Sequence, residues 1–207
     1  MKKWTRARKL TMKVIVVYAV GLVLLAFAEP DPSGAWFWAG LSATAAGQGL
    51  RIWAAGHLRK NQRLTTTGPY AHVKNPLYVG TFFILLGFCA MAQGGGQAHW
   101  ALNHLNWIVL GVCVLAFVAY YAPYKKKREG ARLERNFGEE WRRYDRSVPD
   151  YFPRPKPYVH PGAEAVRWSF RTVRENSEHW TPLLLAAGVA ALLHHREILS
   201  FIERHFG

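Results

Sequence analysis

The sequence predicts an all-α membrane protein. Its expected form is a polytopic helix bundle of four spanning helices, a short fifth apolar helix that crosses or re-enters, and a cytoplasmic helical and Pro-rich C-terminal extension. Three observations predict it. Apolar residues gather in four blocks, each close to the ~20 residues that cross the hydrocarbon of a bilayer. Lys and Arg fill every second gap between the blocks. Mean hydropathy is only −0.07 although half of the residues are apolar, so apolar and charged residues are segregated along the chain.

The first block, Val14 to Ala28, follows Lys2, Lys3, Arg6, Arg8, Lys9 and Lys13. It has the basic start, apolar middle and small-x-small end (Ala26-Phe27-Ala28) of a secretory signal, and is read here as a retained first helix. The second block, Ala35 to Ala55, carries Ala39, Ala43 and Gly47 at four-residue spacing, with Gly40 and Thr44 beside them. Small residues so spaced let helix backbones approach closely in lipid. Gln48 and Arg51 lie toward its end, where an arginine either snorkels to the interface or faces a polar cavity. The third and fourth blocks run Leu77 to Ala92 and Leu105 to Ala122. Trp36, Trp38, Trp100 and Trp107 fall near block ends, as interfacial aromatics do.

The gaps set the orientation. Residues 29–34 carry two acids and no base, and residues 93–104 carry no charged side chain. The N-terminus, residues 57–76 and the stretch after Tyr124 are rich in Lys and Arg. The positive-inside rule places these three segments in the cytoplasm, with the chain a multi-pass protein of the inner or plasma membrane. The charge balance, 27 Lys and Arg against 13 Asp and Glu for a net +14, is then explained by topology and anionic headgroups. Membrane lipid is the predicted partner and nucleic acid is unnecessary. A homo-oligomer is left open. Cys89 and Cys113 sit inside apolar blocks, where cysteine packs as a small hydrophobe. The histidines form no His-Glu-x-x-His or paired Cys/His pattern, so no metal is predicted.

After the fourth block, Lys125-Lys126-Lys127-Arg128 leads into a helical stripe of Leu133, Phe137, Trp141 and Tyr144, with Gly138 as a break. Pro149, Pro153, Pro155, Pro157 and Pro161 then predict an extended arm or linker. The final apolar run, Trp180 to Leu193, is short for a crossing and is followed at once by His194, His195, Arg196 and Glu197. It is read as a short crossing or re-entrant helix, with a half-buried helix, or an interfacial one continuing through Ile198, Phe201 and Ile202, as the alternatives.

Two clusters carry the candidate chemistry. The first is the loop before the third block. There His57, Arg59, Lys60, Arg63, His72 and Lys74 are basic, Tyr70 and Tyr78 are aromatic, and Gly68-Pro69 sets a turn. Pro76 suits the first turn of a helix, and Asn75, held extended by the proline, is placed to cap it. The second cluster is Glu129 among its basic neighbours. Antiparallel third and fourth helices would bring both to one pocket at the cytoplasmic level. Tyrosine faces there attract a cation, an acid holds an ammonium, and a helix N-terminus or a base holds a carboxylate.

The chain reads Gly68-Pro69-Tyr70, then Lys74-Asn75-Pro76-Leu77-Tyr78-Val79-Gly80, and later Glu129, Leu133, Phe137-Gly138, Trp141, Tyr144 and Val148-Pro149. Across about residues 50–155 this resembles the isoprenylcysteine carboxyl methyltransferase and phospholipid methyltransferase families, integral membrane enzymes that use S-adenosylmethionine. Two departures stand out: Lys74-Asn75-Pro76 replaces the Arg-His-Pro of the isoprenylcysteine branch, and Gly130 replaces the second acid of a Glu-Glu pair, with Glu134 one turn away. The resemblance implies an S-adenosylmethionine-dependent methyltransferase acting on a lipid or amphiphilic acceptor at the cytoplasmic face. It implies a cofactor site of Gly68, Tyr70, His72, Lys74, Asn75, Pro76, Tyr78, Gly80, Arg128 and Glu129, with Arg51, Trp53 and His57 toward the acceptor and no catalytic base identified. Residues 1–124 would form the transmembrane core, 125–155 a cap over the cofactor, and 156–207 the Pro-rich arm and last apolar helix. The alternatives are a sterol-type NADPH-dependent reductase and a non-enzymatic basic lipid-binding membrane protein.

Overall fold

The structure, a computed structural model, describes residues 28–59, 62–93, 100–159 and 166–206. All but Ala28 of the first apolar block lies outside them. Every regular element among the described residues is helical, in agreement with the predicted class.

Helix α1, Ala35–His57, starts after a turn in which Ser33 donates from its backbone N and its Oγ to Asp31 Oδ1, at 3.0 and 2.6 Å. Helix α2, Pro76–Met91, starts at the proline, whose missing N–H is one that the first turn would leave unpaired anyway. Asn75 does not cap it as expected. Nor is its backbone extended, with φ −123° and ψ 54°, and its Nδ2 donates to Asp150 O at 3.0 Å. The side chain is drawn to a later segment instead of to the helix it precedes.

The two helices meet backbone to backbone. The seam is Gly40, Thr44 and Gly47 of α1 against Gly80, Ile84 and Gly87 of α2, all buried. A Cβ on Gly47 would lie 2.5 Å from Gly80 O, and one on Gly40 would fall on Gly87 O and 2.8 Å from Met91 N. Of the small residues read from the sequence, Ala39 instead faces outward and Ala43 is only half-buried. The contact row is the one whose glycines let the two backbones meet.

Helix α3, Trp100–Ala116, passes through a widened π turn, Phe117–Tyr121, into α4, Ala122–Ser147. Gly138 breaks α4 with φ 50° and ψ −121°, a conformation that favours glycine. The Pro-rich stretch after α4 is not a free linker. Lys74 N donates to Pro149 O (2.9 Å), Arg154 N to His72 O (3.0 Å) and Tyr158 N to Ala71 O (2.8 Å). Prolines alternate with donors, and the segment lies along residues 71–74, where the N–H groups of Arg154 and Tyr158 find carbonyl partners.

Residues 166–180 fold back on the end of α1. Asn176 Nδ2 donates to Ala55 O and Leu58 O, at 2.9 and 3.0 Å, closing carbonyls that a helix C-terminus leaves open. Short helix α5, Phe170–Glu175, and a 3₁₀ turn, Glu178–Trp180, lead into α6, Thr181–Leu193. Helix α6 runs alongside α2 in the same direction. Glu178 is bound near the start of α2, Gly188 lies against Phe88, and Leu192 packs with Phe37, Met91 and Ala92 at the far end. The chain then bends by 75° into α7, His195–Phe206.

The four-crossing expectation is not met helix by helix. No single helix among the described residues is long and apolar enough to cross a membrane; only Glu178–Leu193 with His195–His205 passes as a pair, across its bend. Helices α2 and α3 are apolar but have 16 and 17 residues. Helix α1 has the length, 23 residues, but Ser42, Thr44, Gln48, Arg51 and its glycines dilute its hydropathy.

The seam gives the first prediction. Gly40→Val places a branched side chain on a carbonyl that cannot move without parting α1 from α2. Overpacking of this kind costs about 1–3 kcal/mol or more, so thermal unfolding monitored by circular dichroism should show a clear loss of stability. Gly49→Ala, where an added Cβ meets nothing within 4 Å, should be neutral or mildly stabilising.

Candidate functional site

At the basic end of the bundle lies a cavity of about 950 Å³. One wall is the loop from Leu58 to Asn75, with Tyr70, Lys74 and Asn75. The other is α4 from Lys126 to Asp145, and Asp150 with Tyr151 closes it. Tyr70 and Asn75 thus meet Glu129 across one space. Gly130 also lines it, and the nearest side-chain atom to a Cβ there would be on Trp141, at 4.0 Å. The glycine leaves that part of the wall open.

The wall holds together through a few buried polar contacts. Tyr144, 2% exposed, donates from its hydroxyl to Tyr70 O at 2.8 Å. Leu64 and Val148 pack on Tyr144, and Phe137, Trp141 and Tyr158 surround them. Lys74, with a side chain only 7% exposed, binds Asp145 Oδ1 at 2.6 Å and Asp150 Oδ1 at 3.0 Å; Lys126 binds Asp150 Oδ2 at 2.7 Å. Burial pushes the Asp150 carboxyl upward, but hydrogen bonds from Lys126 and Lys74 outweigh it and hold the group below its usual range. Burial and the charges of Glu129 and Glu178 raise Tyr70 far above an ordinary phenol. It therefore stays protonated at neutral pH and cannot serve as a base.

Six basic side chains line the cavity against four carboxylates. The carboxylates are engaged: Asp145 and Asp150 as above, Glu134 with Arg142 at 2.7 Å, and Glu129 with Arg132 at 3.8 Å. Arg59, Arg63 and Lys127 have no ion pair among the described residues and line the same space. The excess favours an anionic group. A sulfonium or a divalent cation would meet net repulsion.

The remaining predicted site residues lie elsewhere. Gly68, at φ 61°, packs on the His57 ring, and His57 Nδ1 pairs with Val166 O at 2.9 Å. His72 Nδ1 pairs with Arg154 O at 2.8 Å. Pro76 and Gly80 are buried in α2, and Tyr78 packs on Phe117 with ring centroids 5.5 Å apart. Arg128 is exposed and donates to Tyr124 Oη at 2.8 Å. Trp53 faces outward, 46% exposed.

Arg51 neither snorkels nor lines the cavity. Its Nη2 and Nε donate to the two oxygens of Glu178, at 2.6 and 3.2 Å, and its Nη1 to Thr81 Oγ1 and Leu77 O, at 2.5 and 3.2 Å. The fork clamps α1, α2 and the turn before α6. Glu178, Asp145, Asp150 and Tyr151 are missed by the sequence reading. Asp145, Asp150 and Glu178 reach partners 71, 75 and 127 residues away, and no local pattern signals such distances.

Two known proteins are similar to this chain. One, the nickel-cobalt-cadmium resistance protein NccN of Alcaligenes xylosoxydans xylosoxydans, is 35% identical over 106 residues, half of this chain and 43% of that protein. The other, the cobalt-zinc-cadmium resistance protein CzcN of Cupriavidus metallidurans, is 30% identical over 160 residues, 72% of this chain and 65% of that protein. The chain thus spans less than two thirds of the length of either relative. No family model matches it, and no solved structure matches it.

These relatives correct the functional expectation. Both are named for resistance to metals, and nothing in either comparison indicates a methyltransferase or any other enzyme. The methyltransferase reading and the reductase alternative are withdrawn. The methyltransferase reading rested on a motif of prolines, glycines and aromatics whose members are, for the most part, held by structural contacts in this fold. With the resemblance goes the reason for expecting S-adenosylmethionine in the cavity.

Two predictions follow from the wall. Tyr144→Phe leaves the buried Tyr70 carbonyl unpaired, and should cost about 1–2 kcal/mol in denaturant unfolding. Asp150, held below its unfolded value, contributes stability that is present above that value, near pH 4, and lost as pH falls through the lower folded value. The melting temperature should drop steeply below about pH 4, and Asp150→Asn should start lower and flatten that slope.

Proposed function

We propose that this chain acts in cellular tolerance to divalent transition-metal cations, seated in a membrane, and that its cavity takes an organic anion bearing a phosphate or carboxylate group instead of the metal. The observation that carries the first part is the likeness to CzcN along 160 residues, 72% of this chain. The second rests on charge: the cavity carboxylates are paired, and Arg59, Arg63 and Lys127 line the space beside them. The apolar walls of Leu133, Phe137 and Trp141 suit the body of an amphiphilic ligand.

The membrane seat is supported by a band of exposed apolar residues. Phe82 and Phe83 on α2, Ile108, Val112 and Leu115 on α3, and Leu183 and Leu184 on α6 are all 41–70% exposed. On α3 these residues recur at helical spacing on one face. Patches of that extent mark a membrane or a partner surface, and the basic cavity lies at one end of the band, where a cytoplasmic headgroup layer would be.

The test is growth. A strain lacking the chain should become more sensitive to cobalt, zinc, cadmium or nickel, and the wild-type chain should restore tolerance. Arg63→Glu with Lys127→Glu should fail to restore it while accumulating in the membrane fraction at wild-type level. Unchanged tolerance in the deletion strain would overturn the role, and full rescue by the double variant would overturn the anion-binding cavity.

A further inference from the structure

We infer that α7 is an interfacial helix that lies on the membrane surface opposite the cavity, with Ile198, Phe201 and Ile202 set into the headgroup–acyl boundary. The inference rests on the membrane seat proposed above and assigns a lipid surface to an amphipathic face that the fold leaves half uncovered.

The direction of α6 comes first. It leaves the basic end at Glu178, bound to Arg51, and reaches the other end at Leu192, packed on Phe37 and Met91. That end begins with Trp36 and Trp38, which are 62% and 59% exposed. At the basic end Trp53, Trp168, Phe170 and Trp180 form a second group of exposed aromatics, 45–59% exposed. On α1, Trp38 and Trp53 are separated by a rise of roughly 23 Å at 1.5 Å per residue. Two aromatic levels that far apart, with aliphatic residues exposed between them, match the two interfaces of a somewhat thin bilayer. Helix α6 therefore climbs from one interface to the other.

The bend follows at that second level. His194 and His195 end the climb, and the 75° turn lays α7 across the direction of α6. Its apolar residues, Ile198, Leu199 and Ile202 with Phe201 at the margin, share one face, while Arg196, Glu197, Ser200, Glu203 and Arg204 form the other. The apolar face is covered where the helix begins: His195 is 7% exposed and donates from Nδ1 to Leu192 O at 3.1 Å, and Ile198 and Leu199 are half-buried. Further along, the same face opens, with Phe201 53% and Ile202 41% exposed. The face that rests on the bundle at its start thus continues past the bundle's edge, at the level of Trp36 and Trp38. In a membrane-seated protein the surface met there is the bilayer. The charged face points to water, as in helices that lie in the interface plane.

The test uses the full chain with Cys89 and Cys113 changed to Ala, reconstituted in vesicles of phosphatidylethanolamine and phosphatidylglycerol. Nitroxide labels are placed singly by Phe83→Cys, Ile198→Cys, Ser200→Cys, Ile202→Cys and Glu203→Cys. Collision with oxygen should dominate at Phe83, Ile198 and Ile202, and collision with a water-soluble nickel chelate at Ser200 and Glu203. In sealed membranes of one orientation, an impermeant maleimide should label Glu203→Cys from the face opposite that which exposes Lys156→Cys. If Phe83 itself reports water, the membrane seat fails and this inference with it. If Phe83 reports lipid but Ile202 reports water, or if Glu203 and Lys156 label from the same face, the inference alone fails. A label at Ile202 shielded from both reagents and broadened by a neighbouring label would overturn it in favour of contact with a second copy.

Discussion

The close approach of α1 and α2 is the constraint on which the rest depends. Gly40, Thr44 and Gly47 meet Gly80 and Gly87 with carbonyls where side chains would otherwise stand. This contact joins the end of α1 to the start of α2 and forces the intervening loop into a compact turn. Gly68 supplies the left-handed residue, and Tyr70 is buried beneath Tyr144. The Pro-rich segment can then lie along residues 71–74, and Arg51 can reach both α2 and Glu178. Separating the two helices would disconnect the cavity from its wall.

Charge organises the basic end in two ways. Lys74 and Lys126 converge on Asp150, tying the α2 entry, α4 and the following extended segment together. A buried cation with two carboxylates is well compensated, and removing one partner leaves an uncompensated charge. Arg59, Arg63 and Lys127, which line the same cavity without an ion pair among the described residues, leave it with a positive excess. The same segment of chain therefore both builds the wall and sets the sign of the field inside it.

The correction of function has a physical lesson. Gly-Pro-Tyr followed by Asn-Pro-x-Tyr-x-Gly describes a turn, a helix start and a close helix contact. Each of those residues has a structural reason here: Gly68 accommodates His57, Pro76 opens α2, Gly80 receives Arg51 and Tyr78 packs on Phe117. A motif made of backbone requirements marks a shape that different activities can share. The relatives named for metal resistance decide against the activity that the motif brought to mind.

Local composition by itself determined the helical class, the approximate bounds of the second, third and last apolar segments, the proline start of α2 and the break at Gly138, because each follows from the preferences of neighbouring residues. It also gathered Tyr70, Lys74, Asn75 and Glu129 as one group, since antiparallel neighbours bring their shared ends together. Only the tertiary structure decided that Asn75 turns to Asp150, that Arg51 pairs with Glu178, that the Pro-rich segment is packed and that α6 ends at a 75° bend. Those outcomes depend on partners as many as 127 positions away, and a side chain's choice among distant partners is set by which backbones pack against it, a quantity that no local window of sequence contains.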